Sequence, residues 1–346
     1  MPEIALDTER YAVLLLAHGT PQTLDQIPEY LRNVTSGRPM PESVVEEIRH
    51  RYSLIGSSPL TELTFEQGSL LSQALGLPVY VGMRNWKPYI ADIVRQMRQD
   101  GITSAVAICL APQNSRTSVG LYRRAAFAEA AGAIDMDFID GWADHPLLAQ
   151  AFAERLRPVW QSLSARIGSM APVLFTAHSV PCRTIQAQPP VSEGQPAARP
   201  DPGPDPYPVE AKRTAANVAA LLAPQGLTAA DWFFAFQSQG MSGATWIGPT
   251  VEDTLTALRQ EGHTAVVIQP IGFLCDHVEI LYDIDIGFRD FAAGIGLEVV
   301  RSQSLNDSPL LTAALEQLAR QGLARLATRL ASKTHSGASA KAVPAL

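Results

Sequence analysis

The sequence predicts an α/β fold of two similar domains, each a four-stranded parallel sheet flanked by helices, with a cleft between them. Three observations carry that expectation. Short apolar runs alternate with longer segments of helical period, the βαβ pattern of a parallel sheet. The chain nearly repeats itself at an offset of about 160 residues, too long for a solenoid unit, so it reads as tandem copies of one fold. Its 346 residues are enough for two domains, each with a core.

The repeat is visible in matched segments. Ala17-His18-Gly19-Thr20-Pro21 follows one apolar run, and Ala177-His178-Ser179-Val180-Pro181 follows another. Arg98-Gln99-Asp100-Gly101-Ile102-Thr103 is echoed by Arg259-Gln260-Glu261-Gly262-His263-Thr264, and Trp86 and Asp92 by Trp246 and Asp253. In chain order, strands are expected over 11–17, 78–81, 105–110 and 136–139, then over 173–177, 232–236, 265–269 and 297–300. Helical period falls over 88–100, 119–131, 146–167, 209–222 and 250–261. Asp100-Gly101 and Glu261-Gly262 are stops with glycine just past the helix end. These elements give two Rossmann-like domains, 1–145 and 146–308, with a last helix over 309–330 expected to pack back on the first. Eight of the twenty residues 189–208 are proline, which removes backbone donors, so 186–208 is expected to be an irregular surface loop. The Ser/Ala/Lys/Gly-rich tail 332–346 lacks hydrophobic period and is expected to be disordered.

Composition excludes several function classes. A formal net charge of −7 argues against nucleic acid or an anionic membrane as the main partner. Cys109, Cys182 and Cys275 are widely spaced and odd in number, so neither a disulfide framework nor a cysteine metal site is expected, and a reducing cytoplasm fits. The acidic N-terminus does not read as a signal peptide, and no apolar run is long enough to span a membrane. Gly-x-Gly-x-x-Gly, P-loop, His-Glu-x-x-His and Gly-x-Ser-x-Gly motifs are absent.

In open α/β sheets, ligands bind beyond the carboxyl ends of strands, and there the two copies differ. After 265–269 come Cys275-Asp276-His277-Val278-Glu279; after 105–110 come Gln113-Asn114-Ser115-Arg116-Thr117-Ser118. The first set suits a cation or a proton; the second, ahead of a helix, suits an anion such as a carboxylate. A plainer account of the first set stands beside this one. Asp276-x-x-Glu279 fits a capping box, and Glu279 with Asp283 would complement a helix dipole. His277 taken alone reads as structural. His178 stands at a strand end of the same predicted sheet as Glu279. An imidazole and a carboxylate suit Fe(II), Zn or Co(II) with open positions, or a general base with its charge partner.

With these residues in view the chain resembles the ferrochelatases, which insert Fe(II) into a porphyrin in haem biosynthesis. The resemblance rests on Leu15-Leu16-Ala17-His18-Gly19-Thr20-Pro21, Arg51-Tyr52 with Ser58-Pro59-Leu60, and Ala177-His178-Ser179-Val180-Pro181. It also rests on Phe236-Gln237-Ser238, Trp246-Ile247-Gly248-Pro249, and Gly272-Phe273-x-x-Asp276-His277-x-Glu279-x-x-Tyr282. It implies a chelatase-like pair of domains around a porphyrin cleft, with His178 and Glu279 as the catalytic, iron-handling pair and Asp283 as an accessory acid. Arg51, Tyr52 and Ser58 match positions that hold porphyrin carboxylates or ring edge. His18 stands where relatives place a residue facing the iron of bound product, so it is either an axial ligand or a strand-end histidine bonded to backbone. Thr35 replaces an arginine expected on a propionate, Gln113-Asn114 a histidine-containing stretch, Phe236 a tryptophan, and Gly287 an acid.

The resemblance implies no prosthetic group, with Fe(II) and porphyrin as substrates. Coproporphyrin III is favoured over protoporphyrin IX, because the opening half resembles the soluble Gram-positive enzymes. A monomer is the expected state. Two alternatives remain at this stage: a cobalt or nickel chelatase for a reduced tetrapyrrole, and a non-catalytic haem-binding protein using His18.

Overall fold

A computed structural model describes residues 10–130, 132–186, 203–240 and 244–339. Among these residues, eight strands form two four-stranded, all-parallel sheets. The first holds β1 (Tyr11–Ala17), β2 (Val79–Met83), β3 (Ser104–Cys109) and β4 (Asp135–Ile139), ordered β2-β1-β3-β4. The second holds β5 (Val173–His178), β6 (Trp232–Gln237), β7 (Ala265–Pro270) and β8 (Glu298–Arg301), ordered β6-β5-β7-β8. The order is the same in both halves, as the sequence repeat requires. Each observed strand lies within two residues of its expected span at either end.

The duplication extends to the connections. Helices α1 (Ile27–Val34), α2 (Glu42–Ile55) and α3 (Leu60–Leu75) link β1 to β2, and the sequence reading assigned none of them. Helix α4 (Ile90–Gln99) buries Ile90, Val94 and Met97; its counterpart α9 (Val251–Gln260) buries Val251, Leu255 and Leu258 at the same spacing. Both end on a glycine in the left-handed region, Gly101 and Gly262, where a side chain would be strained. The Ile102 N–H then closes on the Met97 carbonyl, and the His263 N–H on the Leu258 carbonyl. A cis X-Pro bond precedes each of these helices, at Lys87–Pro88 and Gly248–Pro249.

The remaining helices are α5 (Val119–Ala130), α6 (Pro146–Ile167), α7 (Cys182–Ile185), α8 (Tyr207–Leu222), α10 (Val278–Leu281), α11 (Arg289–Gly294) and α12 (Pro309–Ser339). A π-helical turn, Asp283–Phe288, joins α10 to α11. Helix α12 packs on the first sheet, with Arg325 and Arg329 on the buried Asp137 carboxylate of β4. It runs past the expected end at Leu330, and the segment 332–339 expected to be disordered continues the helix, because neither proline nor a capping glycine interrupts Ala331–Ser336. Residues 340–346, and 187–202 of the proline-rich stretch, lie outside the described residues. Pro208 falls in the first turn of α8, where proline's missing N–H has no helical partner to lose.

Alternation along the strands sorts the cores. Ala12, Leu14 and Leu16 of β1 face a core private to the first sheet; Leu174, Val266 and Ile268 face one private to the second. The opposite faces, Val13, Leu15, Val106 and Ile108 against Val173, Phe175 and Val267, join one continuous core through α6, α8 and α12.

Candidate functional site

Strand β5 ends at His178, and the loop leaving β7 returns over it. Gly272 makes that return possible: a methyl built there would sit 2.9 Å from Ala177 Cβ and 3.0 Å from Ala177 Cα. The loop then delivers Glu279, on the first turn of α10, to His178, with Nε2 donating to Oε1 at 3.2 Å. Both side chains are about one third exposed, at 34% and 33%.

Glu279 is held from two sides. His277 Nε2 lies 3.3 Å from Oε2, and Phe273 packs edge-on against the His178 ring and tilted against that of His277. His277 Nδ1 donates to the Cys275 carbonyl at 3.0 Å, and His178 Nδ1 to the Ser179 carbonyl. Those acceptors assign the Nδ1 protons and leave each Nε2 directed at a carboxylate oxygen. The Gln237 side chain fixes the segment from behind, donating to the Glu279 carbonyl at 2.8 Å.

The electrostatics follow. Burial disfavours charge on Glu279, but His178 and His277 outweigh it and hold the carboxyl well below its usual range. For His178, burial is likewise overcome by Glu279, the Ser179 carbonyl and Asp283, and the pKa is pushed up to about 9. The resting pair is an imidazolium–carboxylate couple.

Asp283, one turn on, accepts from Ser238 and lies 3.5 Å from Arg51 Nη1. Burial, and then Glu279, push it up to about 6 against Ser238 and Arg51. Arg51, on α2, also bonds Glu47 at 2.8 Å and lies over the Tyr282 ring at 4.9 Å. It therefore ties the first half to the second. Tyr52 is buried in a small cluster with Ile27, Tyr30, Leu31, Val45 and Trp86. Ser58 is buried under the β1 loop, accepting from Thr20 Oγ1 at 3.1 Å.

His18 follows β1 in the position matching His178. Among the described residues its side chain bonds no backbone group; Tyr30 Oη lies 2.9 Å from Nε2, and the Asn85 amide meets the ring edge at 3.1–3.2 Å. The residue is nonetheless exposed. The protein around it withdraws water and, with Arg84, His277 and His178 nearby, holds the pKa down at about 4 despite Glu279. That these four groups act on His18 places both strand-end histidines around one space.

The capping box does not form. Helix α10 starts at Val278 behind His277, with no side-chain cap, and the Asp276 carboxylate is taken by Arg301 (3.2 Å), Ser304 (2.7 Å) and Asn306 (2.9 Å). A long-range guanidinium wins over a local amide, and Asp276 anchors the loop instead of capping the helix. His277 is the functional contact that sequence reasoning missed. Among the described residues, no group of three or more His, Cys, Asp or Glu side chains is arranged to hold a metal ion.

The ferrochelatase family model matches residues 10–323, which include every residue of this site. The chain belongs to the ferrochelatase family. That family's reaction is a lyase-class insertion of iron into porphyrin, a step of haem biosynthesis. The chain is 68% identical over 318 residues to a ferrochelatase of Acidobacterium capsulatum, covering 92% of this chain and 96% of that one. A ferrochelatase of Deinococcus radiodurans is 37% identical over 91% of this chain and 96% of its own. A coproporphyrin III ferrochelatase of Geobacillus kaustophilus is 33% identical over 88% and 93%. Among solved structures, SirB from Bacillus subtilis with Fe3+ shares the fold, with a TM-score of 0.52, 12% identity, and 90% of this chain and 95% of that chain covered.

The departures from the ferrochelatase pattern have local explanations. Thr35 closes α1, donating from Oγ1 to the Leu31 carbonyl at 2.9 Å. Phe236 is buried against Phe234 and Tyr207. Gln113 braces the two halves, donating to the Ile271 carbonyl at 3.1 Å. The Gly287 N–H closes the π-helical turn on the Tyr282 carbonyl.

Proposed function

We propose that this ferrochelatase-family protein inserts Fe(II) into coproporphyrin III in preference to protoporphyrin IX, with His178 and Glu279 handling metal and protons. The observation that carries the reading is Glu279 suspended between two Nδ1-anchored imidazoles at the strand ends of a duplicated scaffold. A ligating imidazole must be unprotonated, so Fe(II) arriving at the pair displaces the proton on His178 Nε2. When the metal passes into the ring, His178 is left neutral beside a porphyrin that must shed two N–H protons. It then accepts one of them, with Glu279 stabilising the imidazolium that forms, and the second proton passes to solvent. The site thus exchanges a cation for protons. His18, kept neutral, supplies a lone pair to the metal from the matching strand end only by exchanging its Tyr30 or Asn85 contact.

The 33–37% identical relatives carry both names, ferrochelatase and coproporphyrin III ferrochelatase, and the latter supports the substrate preference. Asp283 relays protons from Glu279, while Tyr52 and Ser58, both buried, support the ring-binding wall from behind. The enzyme acts as a cytoplasmic monomer without a resident prosthetic group. No helix among the described residues is long and apolar enough to cross a membrane.

The test is anaerobic Fe(II) insertion with both porphyrins side by side. Coproporphyrin III is expected to give the higher kcat/KM. His178→Ala should lose at least about a hundredfold in kcat while binding porphyrin within a few-fold of wild type. Retained turnover in that variant overturns the assignment of His178; a protoporphyrin preference overturns the substrate.

A further inference from the structure

The arginine expected to hold a porphyrin carboxylate, Arg51, already has its charge matched by Glu47 and Asp283. Arg84 presents the opposite case. It is the first residue after β2; its N–H donates to the Ala17 carbonyl at 3.0 Å, and the next N–H, of Asn85, to the His18 carbonyl at 2.9 Å. The backbone therefore seats Arg84 beside His18 at the strand ends of the first sheet. The side chain is half-buried, and its hydrogen bond is to the Thr117 carbonyl at 3.3 Å. Among the described residues, no carboxylate pairs with it. The ionisable groups that act on it are Tyr122, Arg124 and Tyr30, two phenols and a second cation, and it acts in turn on His18. A guanidinium drawn out of water without an anion is unfavourable, and a ligand carboxylate would relieve it.

Thr117 belongs to the polar stretch after β3, which its composition suits to an anion. The cation of that stretch, Arg116, is turned away: its guanidinium donates to the Gln186 and Gly203 carbonyls, and its backbone N–H to Asp205. Arg84, arriving from β2, brings a guanidinium to this strand end with which no carboxylate pairs among the described residues.

We propose that Arg84 binds a side-arm carboxylate of the porphyrin where the ends of β2 and β3 meet, beside His18. The inference rests on the porphyrin-binding reading above and names the group that anchors the substrate. An arginine presents two parallel N–H donors to a carboxylate, so the contact fixes the orientation of the ring as well as its affinity.

The experiment compares coproporphyrin III with its tetramethyl ester, in one detergent buffer, by porphyrin fluorescence titration of wild type, Arg84→Ala, Arg84→Lys and Arg51→Gln. Arg84→Ala should weaken the acid by about ten- to hundredfold and the ester by less than about twofold, with KM raised and kcat within about threefold. Arg84→Lys should recover part of the loss, because it keeps the charge without the fork, and it covers the case in which the alanine variant misfolds. Equal weakening of acid and ester by Arg84→Ala overturns the proposal. So does a carboxylate-selective loss confined to Arg51→Gln. Wild type that binds the acid but inserts no iron would refute the enzymatic reading, and the acid-to-ester ratio would still judge Arg84.

Discussion

At the scale of single residues, four titrating groups around the cleft pull stability in different directions with pH. His178, at about 9, lies above the free imidazole value of about 6.5, so its contribution is complete below pH 6.5 and is lost as pH rises through 9. Glu279 lies below its usual value; its contribution is present above about pH 4.5 and is lost on acidification. Asp283, raised to about 6, makes stability fall as pH climbs from 3.8 to 6. His18, lowered to about 4, makes it rise between 4 and 6.5. The last two slopes oppose each other, whereas none of these groups opposes His178 above pH 6.5. Calorimetric Tm is therefore expected to decline from pH 6.5 to 9, and His178→Gln should flatten that decline. An unchanged slope in the variant would place the titration elsewhere.

At the scale of elements, the loop from β7 to α10 is set by one close approach. Gly272 lies against Ala177, where neither the Cβ nor the backbone can yield to an added methyl. Gly272→Ala should displace the loop by several tenths of an ångström and carry Glu279 away from His178. Turnover is expected to fall about tenfold or more, with porphyrin affinity little changed, in a steady-state assay paired with fluorescence titration. Wild-type kcat in a folded variant would show that the pair tolerates the shift.

The strands were legible in the sequence because each is an apolar run, and the repeat made each half a check on the other. Helices α1 to α3 were not legible. Helix α2 opens after Pro41 without a side-chain cap and buries only Val45 and Tyr52, too few positions for a period to emerge. The Asp276 capping box was misread because its competitor, Arg301, lies 25 residues on and reaches Asp276 only through β8. His277 was unreadable as a partner of Glu279. A histidine two residues from an acid does not share a helix face with it, and only the turn back to the Cys275 carbonyl aims the ring.

At the scale of the whole molecule, two sheets do not make two independent bodies. Their inner faces share a core through α6, α8 and α12, and polar ties cross between the halves. Gln67 donates to the Asn306 carbonyl at 2.6 Å, Gln113 to the Ile271 carbonyl, and Arg51 meets Asp283. Unfolding one half would expose the apolar face of the other. A single calorimetric transition is expected, with van't Hoff and calorimetric enthalpies in agreement. Two resolved transitions would mean that the shared core does not couple the halves.

The duplication also left a histidine at each of two matching strand ends, and their surroundings have driven them to opposite states. At neutral pH His18 is a neutral ring held by Tyr30 and Asn85, and His178 a stored proton. A symmetric pair of histidines would offer a ring the same welcome from either domain. This pair gives the cleft a polarity, one strand end held neutral and the other charged before any substrate arrives.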